Sequence, residues 1–417
     1  MTSELCSLLF QHAQNRPGED FWTEFGNERV FLVQSAALSK SILENLDDFP
    51  KDMSNVTQIS GHSRLTENGY PWQVLLRASQ PILANISMNS VCESAIRHTS
   101  TAVETLAGTQ DEQAPRIDHL VVEEITACVL SDLIFDIDLS VLGPDVVRDV
   151  SRFMQYIKRN TPYSGSFARK HGAEEFRDLG NLRLKWLKRF SNLPEAAQNS
   201  KFFKRVSDAV AKPEVSATLE QEVLFFLSAG SETSAATISW AMLLLADNPL
   251  LQSELRTVLD EYWIDGKLDF RSLLKDGGLA SFLREVMCCY PPVPMVVRSP
   301  DKDVCLANHD IRQDNHVIVS LLGMGHGQSV KPNGKGIRLH DLTNTPGDLD
   351  NLMRFGSGPR KCGGQRMAMA EVSVALACLI RNFQFVRTPN EAVRFSWQLS
   401  MTCEDGVPVT LSKLQPS

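Results

Sequence analysis

The sequence predicts a mainly α fold with small peripheral β sheets. Helical periodicity runs through long stretches near 84–108, 117–137, 144–158 and 173–190. The longest apolar element, 219–246, is also helical in pattern. The β-type signal is confined to short runs between turn residues. The economical reading is one domain over 1–417, with a β-rich part at about 20–48 and 293–322 and a helical remainder. A chain of 417 residues, 43% of them hydrophobic, is ample for a large core.

In chain order, 21–34 reads as two strands around the Gly26-Asn27 turn, and Ser35–Leu46 as a short helix. The polar stretch 48–72 reads as a surface loop. Within 219–246, Val223–Leu227 and Ala235–Ala246 are apolar and flank Ser228-Ala-Gly-Ser-Glu-Thr-Ser234. Glu232 would sit mid-span in a membrane helix, and no apolar run reaches about 18 residues. A helix buried through a large domain is expected instead. Asn248 is expected to cap, and Pro249 to open, the next helix, Leu250–Tyr262. A helix near 278–289 is stopped by Pro291-Pro292. Short β segments follow at 293–298, 303–306 and 316–320, and 323–351 reads as loop. An apolar helix from Gly364 to Ile380 comes next. Phe395–Leu399 and Val407–Leu411 are expected to form a final hairpin.

The net charge of −8 argues against nucleic acid as a partner. The first residues carry neither a basic segment nor a long apolar run, so no signal peptide or membrane anchor is expected, and the cytoplasm is the expected compartment. The nine cysteines are scattered and form no C-x-x-C pair, which disfavours a disulfide framework or a zinc site.

The most informative stretch is Phe355-Gly356-Ser357-Gly358-Pro359-Arg360-Lys361-Cys362-Gly363-Gly364. It puts one cysteine in a glycine-rich loop, beside two cations and just before a helix. Cations and helix-terminal N–H groups stabilise a thiolate there, as a metal ligand or a nucleophile. The glycines allow close approach to a flat ligand, which Phe355 would pack against, and Arg360 suits a carboxylate. Thiolate, planar apolar body and carboxylate together describe haem.

These ten residues match the F-G-x-G-x-R-x-C-x-G haem loop of the cytochrome P-450 superfamily, which the chain resembles over essentially its whole length. Ala229-Gly230-Ser231-Glu232-Thr233-Ser234 is similar to that family's A-G-x-E/D-T-T/S segment on a long helix above the haem. The resemblance implies a soluble, bacterial-type haem-thiolate monooxygenase, with haem between that helix and the cysteine helix. Cys362 would be the iron ligand. Thr233 would donate a hydrogen bond at the O2 site, and Glu232 would help to relay protons. Ala229, Gly230, Phe355, Gly356, Arg360, Gly364 and Ala368 would contact the haem. Arg298, after the Pro pair, matches a propionate-binding arginine. Trp72 and Arg77 are similar to a haem-binding W-x-x-x-R pair on the helix below the haem, one residue too far apart.

One segment departs from the pattern. The family's E-x-x-R reads Glu285-Val286-Met287-Cys288 here, so the arginine is missing and another cation or protonation is expected to compensate Glu285. Arg338 is a candidate for a second displaced arginine of the family. Arg354, Lys361 and Arg366 form a positive cluster where the family receives an electron donor.

The resemblance implies haem b (iron protoporphyrin IX), O2, and electrons from NAD(P)H through a ferredoxin or flavodoxin-type partner. A small organic substrate would bind between 228–234, the 293–297 strand and 48–72, with Val293, Val296 and Val297 as wall residues. Secondary metabolism is the expected setting. The alternatives are a peroxide-using or O2-independent haem-thiolate enzyme, and a non-catalytic haem-binding protein.

Overall fold

The computed structural model describes residues 3–25, 28–108, 119–160, 173–191, 193–313, 315–344, 353–397 and 400–414. Its centre is a bundle of four helices: Met88–Gly108, His119–Leu130, the long helix from Leu219 to Asp247, and Gln365–Asn382. We call the third the bulged helix and the fourth the cysteine helix.

The bulged helix opens on a capping box. Thr218 accepts from the backbone N–H of Gln221, whose side chain accepts in return from the N–H of Thr218. Beyond the bulge it is apolar on all sides, and Ala235 through Ala246 are buried. The cysteine helix is likewise buried from Ala370 to Ile380. Both helices belong to one large core with Trp240, Phe282 and Phe383. A second cluster, with Phe31, Phe49, Val317 and Val319, packs under the sheet.

That sheet joins the two predicted β-rich segments. Phe21–Phe25 pairs antiparallel with Glu28–Val33, which runs parallel to His316–Ser320; Met295–Arg298 closes the far edge antiparallel. The Gly26-Asn27 turn lies outside the described residues. Pairing Val297 with Ile318 and Arg298 with Val317 fixes which face Arg298 occupies.

Several expectations fail for identifiable reasons. The 48–72 stretch contains the helix Ser54–Ser60 and the start of Gly69–Ala84; short polar helices leave no periodic trace. The 323–351 loop contains the helix Leu339–Thr343 and the end of Leu321–His326. The tail segments do not pair with each other. Phe395–Trp397 pairs with Met401–Cys403, and Val409–Lys413 pairs with Phe383–Arg387 at the end of the cysteine helix. Pro249 does open the next helix, but the Asn248 side chain makes no cap. It donates to the carbonyls of Leu244 and Gly334 and accepts from the N–H of Ile337, pinning that loop to the bulged helix. The helix Ser3–Asn15 has no counterpart among the sequence expectations. Among the described residues no helix is long and apolar enough to cross a membrane.

Candidate haem-binding site

The cysteine loop is closed by backbone bonds. The Cys362 N–H donates to the Phe355 carbonyl at 2.8 Å, and the Gly356 N–H to that of Met353 at 2.8 Å. Gly356 and Gly358 take φ of +76° and +69°, in the left-handed region. At Gly358 a Cβ would also lie 2.9 Å from the Glu44 Cα, so only glycine fits. Gly364 precedes the first turn of the cysteine helix, and the Ala368 N–H bonds back to its carbonyl at 2.9 Å.

Cys362 has accessible surface, yet protein surrounds its thiol on most sides, and that surrounding governs its charge. Burial raises its pKa. The N–H groups of Gly364 and Gln365 and the charges of Arg64 and Lys361 lower it, without overcoming burial. The sequence expectation of a thiolate held by cations is therefore met in kind but not in balance. A thiol left protonated is a poor nucleophile, whereas a bound metal deprotonates its thiol ligand outright.

Beside the thiol lies a group of cations short of negative charge. Arg298 is buried, donates to the Val297 carbonyl at 2.9 Å, and has no partner for Nε. Its pKa falls to about 10 through burial and the charge of Arg360. Arg360, also lowered to about 10 by burial and by Arg64, has an unpartnered Nε too. It donates to the Glu67 carbonyl at 2.6 Å and to Asn68 Oδ1 at 2.9 Å, and lies 4.4 Å over the Trp72 ring. Lys51 is pushed well down by burial and by Arg360, Arg298 and Arg64. Glu67 and Glu222 offset part of this charge.

Arg64 connects the thiol to the cluster, since the charge of Cys362 acts on it and it donates to Ser79 and Gln80 at 2.9 and 2.8 Å. A thiol next to mutually repelling cations, one of them buried and the others half-buried, fits haem. The metal would take the sulfur, and the propionates would take the cations.

Trp72 thus orients Arg360. Arg77 is exposed and is not brought to the cluster; Arg64 is instead the arginine beside Cys362. Sequence reasoning missed Arg64 and Lys51 because they lie in the stretch taken for a surface loop.

The segment 228–234 forms a π-bulge, Ser228–Glu232, within the long helix. Hydroxyls bond back along it: Ser231 to the Leu227 carbonyl at 2.6 Å, Thr233 to that of Ala229 at 2.8 Å, and Thr237 to that of Thr233 at 2.9 Å. Thr126, on the neighbouring helix, reaches the Ser231 carbonyl at 3.0 Å. At Gly230 a Cβ would lie 2.0 Å from Leu130, so the helices cross there. Ala229 is exposed and Gly230 half-buried, while Ser228, Ser231 and Glu232 are buried.

Glu232 is buried and pinned. It pairs with Lys158 at 3.1 Å and accepts from the Ser400 hydroxyl, while Lys158 also donates to Thr402 at 3.2 Å. Neither Lys158 nor Ser400 stands out in the sequence. The residue after Thr233, Ser234, donates to Glu371 on the cysteine helix at 3.2 Å. Glu371, a lone acid in that apolar helix, is a visible signal that sequence reasoning missed.

The wall valines do not share one face. Val293 and Val296 pack on the sheet cluster, and Val297 on the large core.

Glu285 is fully buried, and neutral groups hold it in place of the expected cation. Its carboxylate accepts from the Ser329 hydroxyl at 2.6 Å and from the N–H groups of Val330 and Lys331 at 3.1 Å. These donors compensate its burial. Arg338 pairs with Glu254 on another helix. Lys361 and Arg366 are exposed, whereas Arg354 is buried and leaves the expected surface cluster. An open groove of about 490 Å³, lined in part by His326, Lys331 and Lys335, shares no residue with the Cys362 site.

Residues 198–403 match the family described as Cytochrome P-450, and this stretch contains the bulge, Glu285 and the cysteine loop. The chain belongs to the cytochrome P-450 superfamily. It is 30% identical over 203 residues to cytochrome P-450 4X1 of Mus musculus, covering 48% of this chain and 40% of the relative. It is 30% identical over 206 residues to the 11-oxo-beta-amyrin 30-oxidase of Glycyrrhiza uralensis, covering 47% and 38%. Cytochrome P-450 6d3 of Musca domestica is 30% identical over 202 residues, covering 46% and 39%. The matched stretches thus span less than half the length of these relatives, and none of the three organisms is a bacterium.

Proposed function

We propose that the chain is a haem-thiolate monooxygenase that inserts oxygen into a small, largely apolar organic molecule. One observation carries this reading: Arg64 acts on both the Cys362 thiol and Arg360, and Arg360 acts on the buried Arg298 and on the half-buried Lys51, a donor set suited to one metal and two carboxylates. With haem bound, a thiolate ligand would supply the electron density that favours O–O cleavage.

The chain's own residues do the rest. Cys362 would hold the metal as a thiolate, with the N–H groups of Gly364 and Gln365 supporting its sulfur. The Thr233 hydroxyl, back-bonded to Ala229, is the donor at the bulge that can turn towards a bound molecule. Lys158 and Ser400 hold Glu232 behind it, and Thr402 extends that polar path. We assign proton entry to this path. Ala229 and Val297 are the apolar contacts we assign to substrate. Lys361 and Arg366 are the exposed cations we assign to an acidic ferredoxin or flavodoxin-type donor fed by NAD(P)H. Secondary metabolism in the cytoplasm is the proposed setting. The bonding of Glu285 speaks against a degenerate, non-catalytic protein.

The test is stoichiometry. O2 and NAD(P)H consumed in step with hydroxylated product support the reading. Product formed from peroxide alone, or with no oxidant, favours the alternatives.

A further inference from the structure

We propose that Arg354 is a positioning residue that clamps the Cys362 loop to the helix Gly277–Cys289, supplying from the loop side the guanidinium that position 288 lacks. The inference rests on reading Cys362 as the iron ligand.

Arg354 is buried, and its guanidinium bridges two elements. Nη1 donates to the Leu321 carbonyl at 2.5 Å, and Nη2 lies 3.8 Å from the sulfur of Cys288. Space has been made for it. At Gly325 a Cβ would sit 2.4 Å from Nη2 and 2.5 Å from the Cys288 carbonyl, so no side chain fits there beside the guanidinium. The short Cys288 side chain leaves room where a longer one would meet Arg354. A small residue on one helix, a glycine on a second and an arginine on the loop thus form one fitted set.

The clamp acts where the loop begins. Arg354 is flanked by Met353, whose carbonyl accepts from Gly356, and by Phe355, whose carbonyl accepts from Cys362. Fixing the guanidinium therefore fixes the residue between the two bonds that shape the loop. Burying an arginine against a thiol and a carbonyl, with Nε unpartnered, is costly. Packing alone does not call for so polar a side chain. Glu285 is bonded elsewhere, by Ser329 and the 330–331 backbone, so the acid and the guanidinium act as separate ties to the same helix.

The test uses the haem-loaded full chain as R354A, R354K, C288R and the double variant C288R/R354A. Each is read by haem release to a scavenging protein, by the share of thiolate-type band in the reduced, carbon-monoxide-bound spectrum, and by circular dichroism to establish folding. R354A is expected to release haem at least about tenfold faster and to lose a large share of the thiolate band. R354K, which keeps the charge but not the fork, falls between. In C288R/R354A the guanidinium returns from the helix side and recovers most of the loss.

The proposal is overturned if R354A matches the wild type, or if the double variant loses as much as R354A. If R354A does not fold, R354K decides: wild-type behaviour in it overturns the clamp. A wild type without a thiolate band overturns the ligand assignment itself, and the clamp with it.

Discussion

Glu371 accepts a hydrogen bond from the Ser234 hydroxyl at 3.2 Å, tying the cysteine helix to the bulged helix one residue beyond Thr233. The carboxyl is buried, and its other oxygen has no partner. Burial pushes its pKa well above the ordinary 4.5, and the Ser234 bond only partly opposes this. The folded chain therefore holds this proton to higher pH than the unfolded chain does.

This gives a signed pH dependence. The folded state keeps a proton that the unfolded state releases above about 4.5, so the contribution of Glu371 is full below that pH and declines as pH rises towards the elevated folded value. Glu371→Gln keeps a neutral acceptor for Ser234. Its stability relative to the wild type should rise with pH in urea titrations at pH 5 and pH 8. Glu371→Ala should show the same upward trend with pH while staying less stable than Glu371→Gln at both, because it also loses the acceptor and leaves a cavity. A Glu371→Gln variant whose relative stability falls with pH contradicts the assignment.

The pairing of Glu232 with Lys158 separates two effects that the sequence motif would merge. Glu232→Ala leaves Lys158 with Thr402 alone and should destabilise by about 2–4 kcal/mol. Thr233→Ala removes one hydroxyl from a bulge that Ser231 and Thr126 still support, and should change stability by less than about 1 kcal/mol. Its effect belongs in coupling, with product per NAD(P)H consumed falling about tenfold or more. Denaturation curves and product ratios on the two variants check this.

The cation group predicts opposite effects on two states of one protein. Arg298→Met removes a buried charge repelled by Arg360, so the haem-free chain should gain about 1–2 kcal/mol. The loaded chain should lose haem about tenfold faster, because a partner for a carboxylate is gone. Melting of the haem-free form and haem transfer from the loaded form measure the two signs. Loss in both would mean that Arg298 is structural.

Glu285 carries the fourth prediction. Ser329→Ala removes one of its neutral donors and should cost about 1–3 kcal/mol, far more than a surface serine. Glu285→Ala frees Ser329 and two N–H groups at once and should cost more than Ser329→Ala. Urea unfolding ranks the two.

The bulged helix, the cysteine helix and the sheet edge with Arg298 were legible because long apolar periodicity and proline stops mark them. The cysteine loop was legible because its glycines and cations leave few other uses. Lys51 and Arg64 were not, since they lie in irregular segments on either side of the helix Ser54–Ser60 and their role arises only from convergence. Trp72 was found, but its contact was not, because the sequence does not say that Arg360 lies over its ring. The compensation of Glu285 was invisible for the same reason. Its donors are a serine and two N–H groups of a turn more than forty residues away in sequence.

The central claim is that Cys362 is the thiolate ligand of a haem held by the adjoining cations. The most direct measurement is the spectrum of the haem-loaded chain, reduced and bound to carbon monoxide, beside that of Cys362→Ser. The account predicts a strongly red-shifted band in the wild type that is absent from the folded variant. A wild type without that band, or a Cys362→Ser variant that retains it, would contradict the claim.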